Sequence, residues 1–195
     1  MKYTLRNYQK QASDAAVRLF TSKADNNGLV ILPTGAGKSL VIADIASRLE
    51  GPLLVFQPSK EILQQNFAKL QSYGIFDCGC YSASVGCKDI NRITFATIGS
   101  VMNHMSDFDC FKNIIIDECH YVNSKSGQYK QFIEAKNRQV VGLTATPYRL
   151  DRAEGGSILK FLTRVRPRIF SKVIYCCQIG ELLSKGYLAD LHYMI

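Results

Sequence analysis

The chain has 195 residues, 47% of them hydrophobic and 21% charged, which excludes a disordered chain and allows one domain with a full core. No apolar run approaches the ~20 residues of a membrane span. The opening Met1-Lys2-Tyr3-Thr4-Leu5-Arg6 lacks the apolar stretch of a signal peptide, so a soluble, cytoplasmic protein is expected. The net charge of +8, from 24 Lys+Arg against 16 Asp+Glu, leans toward a polyanionic partner without establishing one.

In chain order, a helix is expected over 7–22, then a strand at Leu29-Val30-Ile31-Leu32 and a helix over 38–49. A strand at Leu53-Leu54-Val55-Phe56 leads to a helix over 59–73, whose Ile62, Leu63, Phe67 and Leu70 form an apolar stripe with Ser59 placed as its cap. Short runs at Ile93-Thr94-Phe95-Ala96 and Ile114-Ile115-Ile116, a helix over 126–136 and Val140-Val141-Gly142-Leu143 follow. The runs are brief, β-branched and bounded by Gly, Pro or polar residues. Such alternation predicts a three-layer α/β fold with a mostly parallel central sheet.

After Arg149 the composition shifts. Arg152, Lys160, Arg164, Arg166, Arg168 and Lys172 face only Asp151 and Glu154, with Gly155-Gly156 between them. The stretch 160–172 reads equally as a phosphate contact or as a solvated face. A strand at 172–175, a short helix near 178–185 and a strand-like run over 191–195 complete the chain. Seven cysteines follow no zinc spacing, so reduced thiols are expected.

Leu32-Pro33-Thr34-Gly35-Ala36-Gly37-Lys38-Ser39 follows a strand and opens a helix. Triphosphate oxygens need converging backbone N–H donors, which a tight, glycine-permissive turn can aim inward. The helix dipole adds to their attraction. Lys38 would then reach the β- and γ-phosphates and Ser39 would join the Mg2+ shell, while Pro33, Thr34, Gly35, Ala36, Gly37 and Leu40 complete the cradle. Leu32 stands where the general pattern has its first glycine. Downstream, Ile114-Ile115-Ile116 ends in Asp117-Glu118, which places two carboxylates at the carboxyl edge of the sheet. Asp117 would hold Mg2+, partly through water, and Glu118 would polarise the attacking water. The catalytic set is thus Lys38, Asp117 and Glu118, the cofactors are ATP and Mg2+, and the metal ligands are Ser39 and Asp117.

Asp117-Glu118-Cys119-His120, together with Gly35-Ala36-Gly37-Lys38-Ser39, resembles the DEAH-type superfamily 2 helicases and translocases. Leu5-Arg6-Asn7-Tyr8-Gln9 is similar to that group's entry motif, which implies that Gln9 reads the adenine edge and Arg6 packs near the base. Leu143-Thr144-Ala145-Thr146-Pro147 resembles motif III, implying coupling through Thr144 and Thr146, with His120 as the link to the ATP site. Gln57-Pro58-Ser59-Lys60 and Ala96-Thr97-Ile98-Gly99-Ser100 resemble motifs Ia and Ib. That likeness implies nucleic-acid contacts at Pro58, Ser59, Lys60, Thr97 and Ser100. The segments Thr144 to Leu150 and Glu181 to Leu188 look like the bacterial RadD-like group, related to XPB.

The resemblance implies a RecA-like lobe over 1–150 and a basic connecting tail over 151–195, leading to a second RecA-like lobe that this sequence does not contain. It also implies ATP hydrolysis driving movement on nucleic acid, with DNA the expected partner and the choice between DNA and RNA left open by the sequence, no membrane partner and no small-molecule substrate beyond ATP. An arginine finger from a facing lobe is worth ~10^3–10^5 in rate in related NTPases, so weak activity is expected of this lobe alone. Two alternatives stand beside this reading: a regulatory half-motor, and the motor part of a restriction or repair nuclease. A P-loop kinase would leave Leu-Arg-x-Tyr-Gln and Thr-Ala-Thr unexplained. His104 and His192 read as packing or surface residues, and Tyr3, Tyr8 and Tyr148 as possible stacking rings.

Overall fold

The structure is a computed structural model that describes residues 3–22, 26–153 and 156–189. In chain order the elements are α1 (Asn7–Thr21), β1 (Gly28–Ile31), α2 (Lys38–Arg48), β2 (Leu53–Phe56), α3 (Lys60–Ser72), β3 (Cys78–Ser82), β4 (Cys87–Lys88) and β5 (Ile93–Ala96). There follow α4 (Ile98–Met102), a 3-10 turn (Met105–Phe108), β6 (Asn113–Ile116), a second 3-10 turn (Cys119–Tyr121), α5 (Gln128–Glu134) and β7 (Gln139–Thr144). Last come β8 (Tyr148–Ala153), β9 (Gly156–Phe161), β10 (Lys172–Cys176) and α6 (Ile179–Ser184). The strand-like run expected over 191–195, and His192 within it, lie outside the described residues.

Eight strands form one sheet in the order β10-β1-β7-β6-β2-β5-β3-β4. Every pairing in it is parallel except β3 with β4. The pleat sends alternate side chains to opposite faces, so a fully buried strand feeds two cores. On β6, Ile115 packs with α1, α2 and α3 residues such as Ala16, Ile42 and Leu63. Ile114 and Ile116 join Val101, Phe108 and Phe132 on the other face. This is the three-layer α/β arrangement expected from the strand and helix alternation. Gly142 on β7 is required by packing: a Cβ there would sit 2.7 Å from Cys119 Sγ and from the Phe170 ring. Among the described residues no helix is long and apolar enough to cross a membrane.

Three parts of the structure differ from the sequence-based expectations. Residues 172–176 do not lead away from the lobe: β10 pairs in parallel with β1, and Leu182 of α6 is buried in the core. The lobe therefore extends past residue 150. β8 and β9 pair as an antiparallel two-stranded ribbon, with Tyr148 opposite Phe161 and Leu150 opposite Leu159. Cys80 and Cys87 form a disulfide across β3 and β4, which corrects the expectation of reduced thiols throughout; Cys78, Cys110, Cys119, Cys176 and Cys177 are free.

Of the tyrosines considered for stacking, Tyr8 is buried and Tyr3 packs edge-on against Tyr73. Tyr148 is partly exposed and meets Phe161. His104 packs edge-on against Tyr81.

Candidate functional site

Because β7 lies between β1 and β6, the loops that leave these three parallel strands meet on one edge of the sheet. The loop after β1 turns through Gly35 and Gly37, both at φ 80°, and Gly37 is the residue on which α2 begins. A side chain at Gly37 would be strained in that left-handed conformation, and its Cβ would lie 2.6 Å from Gln9 Nε2. The turn is fastened from α1: the Ala36 carbonyl accepts hydrogen bonds from Tyr8 Oη and Gln9 Nε2, both at 3.0 Å. Ala36 N–H donates to the Pro33 carbonyl at 3.1 Å, and Leu40 N–H to the Gly37 carbonyl at 3.0 Å. Thr34 and Pro33 line a cavity of about 450 Å³ with Ala145, Cys177 and Ile179.

Lys38 reaches across this edge. Its Nζ lies 2.7 Å from Glu118 Oε1, with the two side chains 13% and 23% exposed. The lysine at the start of α2 and the carboxylate just after β6 thus neutralise each other at this edge of the sheet. Asp117 lies deeper, and burial, followed by the Glu118 charge, raises its carboxyl from 3.8 to about 6 against the pull of Lys38. Its Oδ1 accepts a hydrogen bond from the Glu118 N–H at 3.0 Å. Glu118 itself adopts φ 48°, uncommon for a residue with a Cβ and found where a surrounding structure holds it.

Two side-chain networks leave this pair. In the first, Asn66 of α3 donates from Nδ2 to Asp117 Oδ2 (3.3 Å) and to Gln57 Oε1 (3.1 Å), while its Oδ1 accepts from Ser39 Oγ (2.6 Å). In the second, His120 Nδ1 lies 3.3 Å from Glu118 Oε2 and 3.0 Å from Thr144 Oγ1. Thr146 N–H then donates to Thr144 Oγ1 at 3.0 Å. All the expected coupling residues therefore lie in one chain of contacts. Between them, the Cys119 thiol is fully enclosed and burial pushes it well above its ordinary range, so it stays protonated.

The flank where α1 meets the segment after α6 is built differently. Arg6 places its guanidinium 4.3 Å from the centre of the Tyr187 ring and donates from Nη1 to the Tyr187 carbonyl at 3.3 Å. Tyr8 and Tyr187 rings lie 5.8 Å apart, and Leu188 reaches the Gly35 turn, where a Cβ would meet its Cδ2 at 3.0 Å. Gln9 is engaged at both ends, since its Oε1 also accepts the Arg6 N–H at 2.9 Å.

Among the expected nucleic-acid residues, Pro58 and Ser59 line a cavity of about 410 Å³, and Lys60 is exposed. Ser59 Oγ accepts from Ile62 N–H at 3.4 Å, capping α3 as expected. Thr97 and Ser100 instead point their hydroxyls at each other and at the β3–β4 turn: Thr97 donates to Ser82 Oγ, and Ser100 accepts from Ala83 N–H.

Two residues escape the motif reading. Asn66 looks like a polar position of an amphipathic helix, yet it lies three residues after Leu63 and four before Leu70, inside the buried stripe. That position was its signal. Tyr187 falls inside the Glu181 to Leu188 segment, but nothing local tells that it meets Arg6 and Tyr8 at the far end of the chain.

A family model described as "Type III restriction enzyme, res subunit" matches residues 2–149. The chain belongs to this family, as an N-terminal lobe of superfamily 2 helicase type. It is 28% identical over 189 residues to the DNA 3'-5' translocase XPB2 of Sulfurisphaera tokodaii, covering 96% of this chain and 39% of that protein. It is 29% identical over 195 residues to the putative ATP-dependent RNA helicase QP509L of African swine fever virus, covering 95% and 38%. Among solved structures, a nuclease-deletion mutant of the Type ISP restriction-modification enzyme LlaGI, in complex with a DNA substrate mimic, shares the fold. The TM-score is 0.69 at 17% identity, over 95% of this chain and 21% of that one. The chain thus spans about two fifths of the curated relatives' length.

Proposed function

We propose that this chain is the ATP-binding lobe of a superfamily 2 motor that hydrolyses Mg-ATP to drive movement on DNA. The observation that carries the reading is the convergence of Lys38, Asp117-Glu118 and Thr144 at the ends of three neighbouring parallel strands, with Lys38 2.7 Å from Glu118. In this reading the β- and γ-phosphates take Lys38 over from Glu118, and the N–H groups of Gly35 to Ser39 converge on them. Glu118, released from Lys38 and still held through its second oxygen by His120, orients the attacking water and accepts its proton. Phosphoryl transfer asks mainly for positioning and charge neutralisation, which such a set supplies from one side.

The donor chemistry fits Mg2+. Ser39 and Asp117 offer hard oxygen atoms and are bridged by Asn66. Held by only two side chains, such a cation would keep most of its water and take phosphate oxygens. Bound there, Mg2+ supplies charge neutralisation on the phosphates. Arg6 and Tyr187 offer a stacking wall for the adenine. Gln9 reads the adenine edge by exchanging one of its two present contacts for the base.

Motion on DNA would be sensed along His120, Thr144 and Thr146, with Pro58, Ser59 and Lys60 facing the strand, Thr97 and Ser100 holding the β3–β4 turn beside it, and a second RecA-like lobe completing the ATP site. The DNA assignment is supported by the names of relatives such as the Sulfurisphaera translocase. A second reading, the motor part of a restriction enzyme, is favoured by the family's own description and by the Type ISP likeness; DNA cleavage by the whole protein would distinguish it. The test is ATPase turnover with and without DNA. We expect residues 1–195 to turn over slowly with little stimulation, and a facing lobe to restore DNA-dependent turnover. Robust strand separation by the monomeric chain would overturn the half-motor reading.

A further inference from the structure

Tyr121 closes the 3-10 turn after Glu118, and none of the motifs above includes it. Its ring is 69% exposed and lies 4.2 Å from the His120 ring, with an interplanar angle of 42°. It also forms one wall of the cavity of about 410 Å³ shared with Pro58, Ser59, Ile62, Ile98 and Tyr129. That cavity joins four segments from distant parts of the sequence: the loop after β2 with the first turn of α3, the start of α4, the turn that carries His120, and the start of α5. Its walls are a proline ring, two isoleucines and two tyrosines. Lys60, the residue after Ser59, is half-exposed at the head of α3, and its ammonium makes a loose 4.0 Å contact with Glu61.

We propose that this cavity receives one unstacked base of a single-stranded nucleic acid, with the base lying on the Tyr121 ring. The inference rests on the nucleic-acid reading above and adds to it a site for a base. A mostly apolar cavity with an exposed aromatic ring, next to a lysine at a helix N-terminus, is the pairing by which single strands are held: the ring takes the base and the positive end takes the phosphate. An apolar peptide would fill the slot but leave Lys60 and the net charge of +8 without a role. Stacking discriminates little among bases, because every base has a π-face, so the site would track along any sequence.

The position of Tyr121 gives the contact a consequence. A base that immobilises Tyr121 also restrains His120 beside it, and His120 touches both Glu118 (3.3 Å) and Thr144 (3.0 Å). Occupancy of the strand groove would thereby bias the carboxylate that shares Lys38.

The experiment uses residues 1–195 at low salt with a short oligothymidylate carrying one central 2-aminopurine, whose fluorescence falls when it stacks on an aromatic ring. We expect the parent and Tyr121→Phe to bind and quench it alike. Tyr121→Ala should lose the quenching and bind about tenfold more weakly, the range for one base on one ring. A strand with an abasic site at the same position should bind the parent and Tyr121→Ala equally. The residue is exposed, so thermal midpoints should agree among the variants. Parent-like binding and quenching by Tyr121→Ala would overturn the base site while leaving the nucleic-acid reading intact. Absence of salt-sensitive binding by the parent would overturn both.

Discussion

In the proposed nucleotide site, the phosphate end and the base end are built on opposite principles. At the phosphate end, Pro33 to Leu40 and Asp117 to His120 are two contiguous segments, each anchored by a buried strand, and their charges are already paired through Lys38 and Glu118. At the base end, Arg6 meets Tyr187 across 181 positions of sequence, and the contact is a half-exposed stack. The phosphate end is therefore held in place before ligand arrives but must give up an ion pair to accept it. The base end is open, and its strength depends on how residues beyond α6 fold back.

The largest effect should come from Glu118→Gln. If Glu118 handles the water, residual hydrolysis falls by about 10^2 or more, as for loss of a general base. Because the amide no longer holds Lys38 as an ion pair, Mg-ATP affinity should rise severalfold. Phosphate release and an equilibrium titration read the two separately. Weakened binding would show that the apo ion pair does not compete with nucleotide.

A second effect is set by Asp117, whose carboxyl is raised to about 6 by burial. The native chain then keeps a proton that the unfolded chain has released. The stability carried by the neutral acid is present below about pH 4 and lost as pH rises through about 6. Above that pH the buried charge costs at most ~3 kcal/mol, at ~1.4 kcal/mol per unit. Asp117→Asn should accordingly stabilise the nucleotide-free chain at about pH 8, and less at about pH 5, in denaturant titrations. An equal gain at both would contradict the assignment.

How much of this was legible follows the same division. That the turn over 33–40 and the Asp117-Glu118 pair meet at one sheet edge is legible because each is contiguous and follows an apolar strand. Helix α3 was legible from its stripe, but Asn66 was passed over because a polar residue on a helix reads as solvent-facing until burial is known. Cys78-Gly79-Cys80-Tyr81-Ser82 lacks the branched apolar residues that mark a strand, so β3 went unseen although it pairs with β5. β10 was recognised as a strand, but nothing local tells that it pairs with β1, whose sequence lies far upstream. The ribbon Tyr148–Phe161 was hidden by its charged residues, since a two-stranded element outside the sheet needs no continuous apolar run.

A smaller effect is expected where the two ends touch. Gln9→Ala removes a buried amide that joins Arg6 N–H to the Ala36 carbonyl. The change should cost about 1–2 kcal/mol, lowering the melting midpoint by about 3–6 °C for a chain of this size. An unchanged midpoint would mean that Tyr8 alone fastens the turn. Smallest of all, Tyr187→Ala should weaken ATP binding about fivefold, the scale of a half-exposed cation–π or stacking contact, and Tyr187→Phe should restore it. No loss on Tyr187→Ala would remove the tail from the base site.

Calorimetric titration of Mg-ATP into the parent chain and into Lys38→Ala is the most direct test of the central claim, because Lys38 is where the phosphates and Glu118 compete. The account predicts measurable binding by the parent, in the micromolar to millimolar range, and none by the variant, which loses its charge-assisted phosphate contact. Equal binding by both would show that nucleotide, if it binds at all, does so somewhere other than this edge of the sheet.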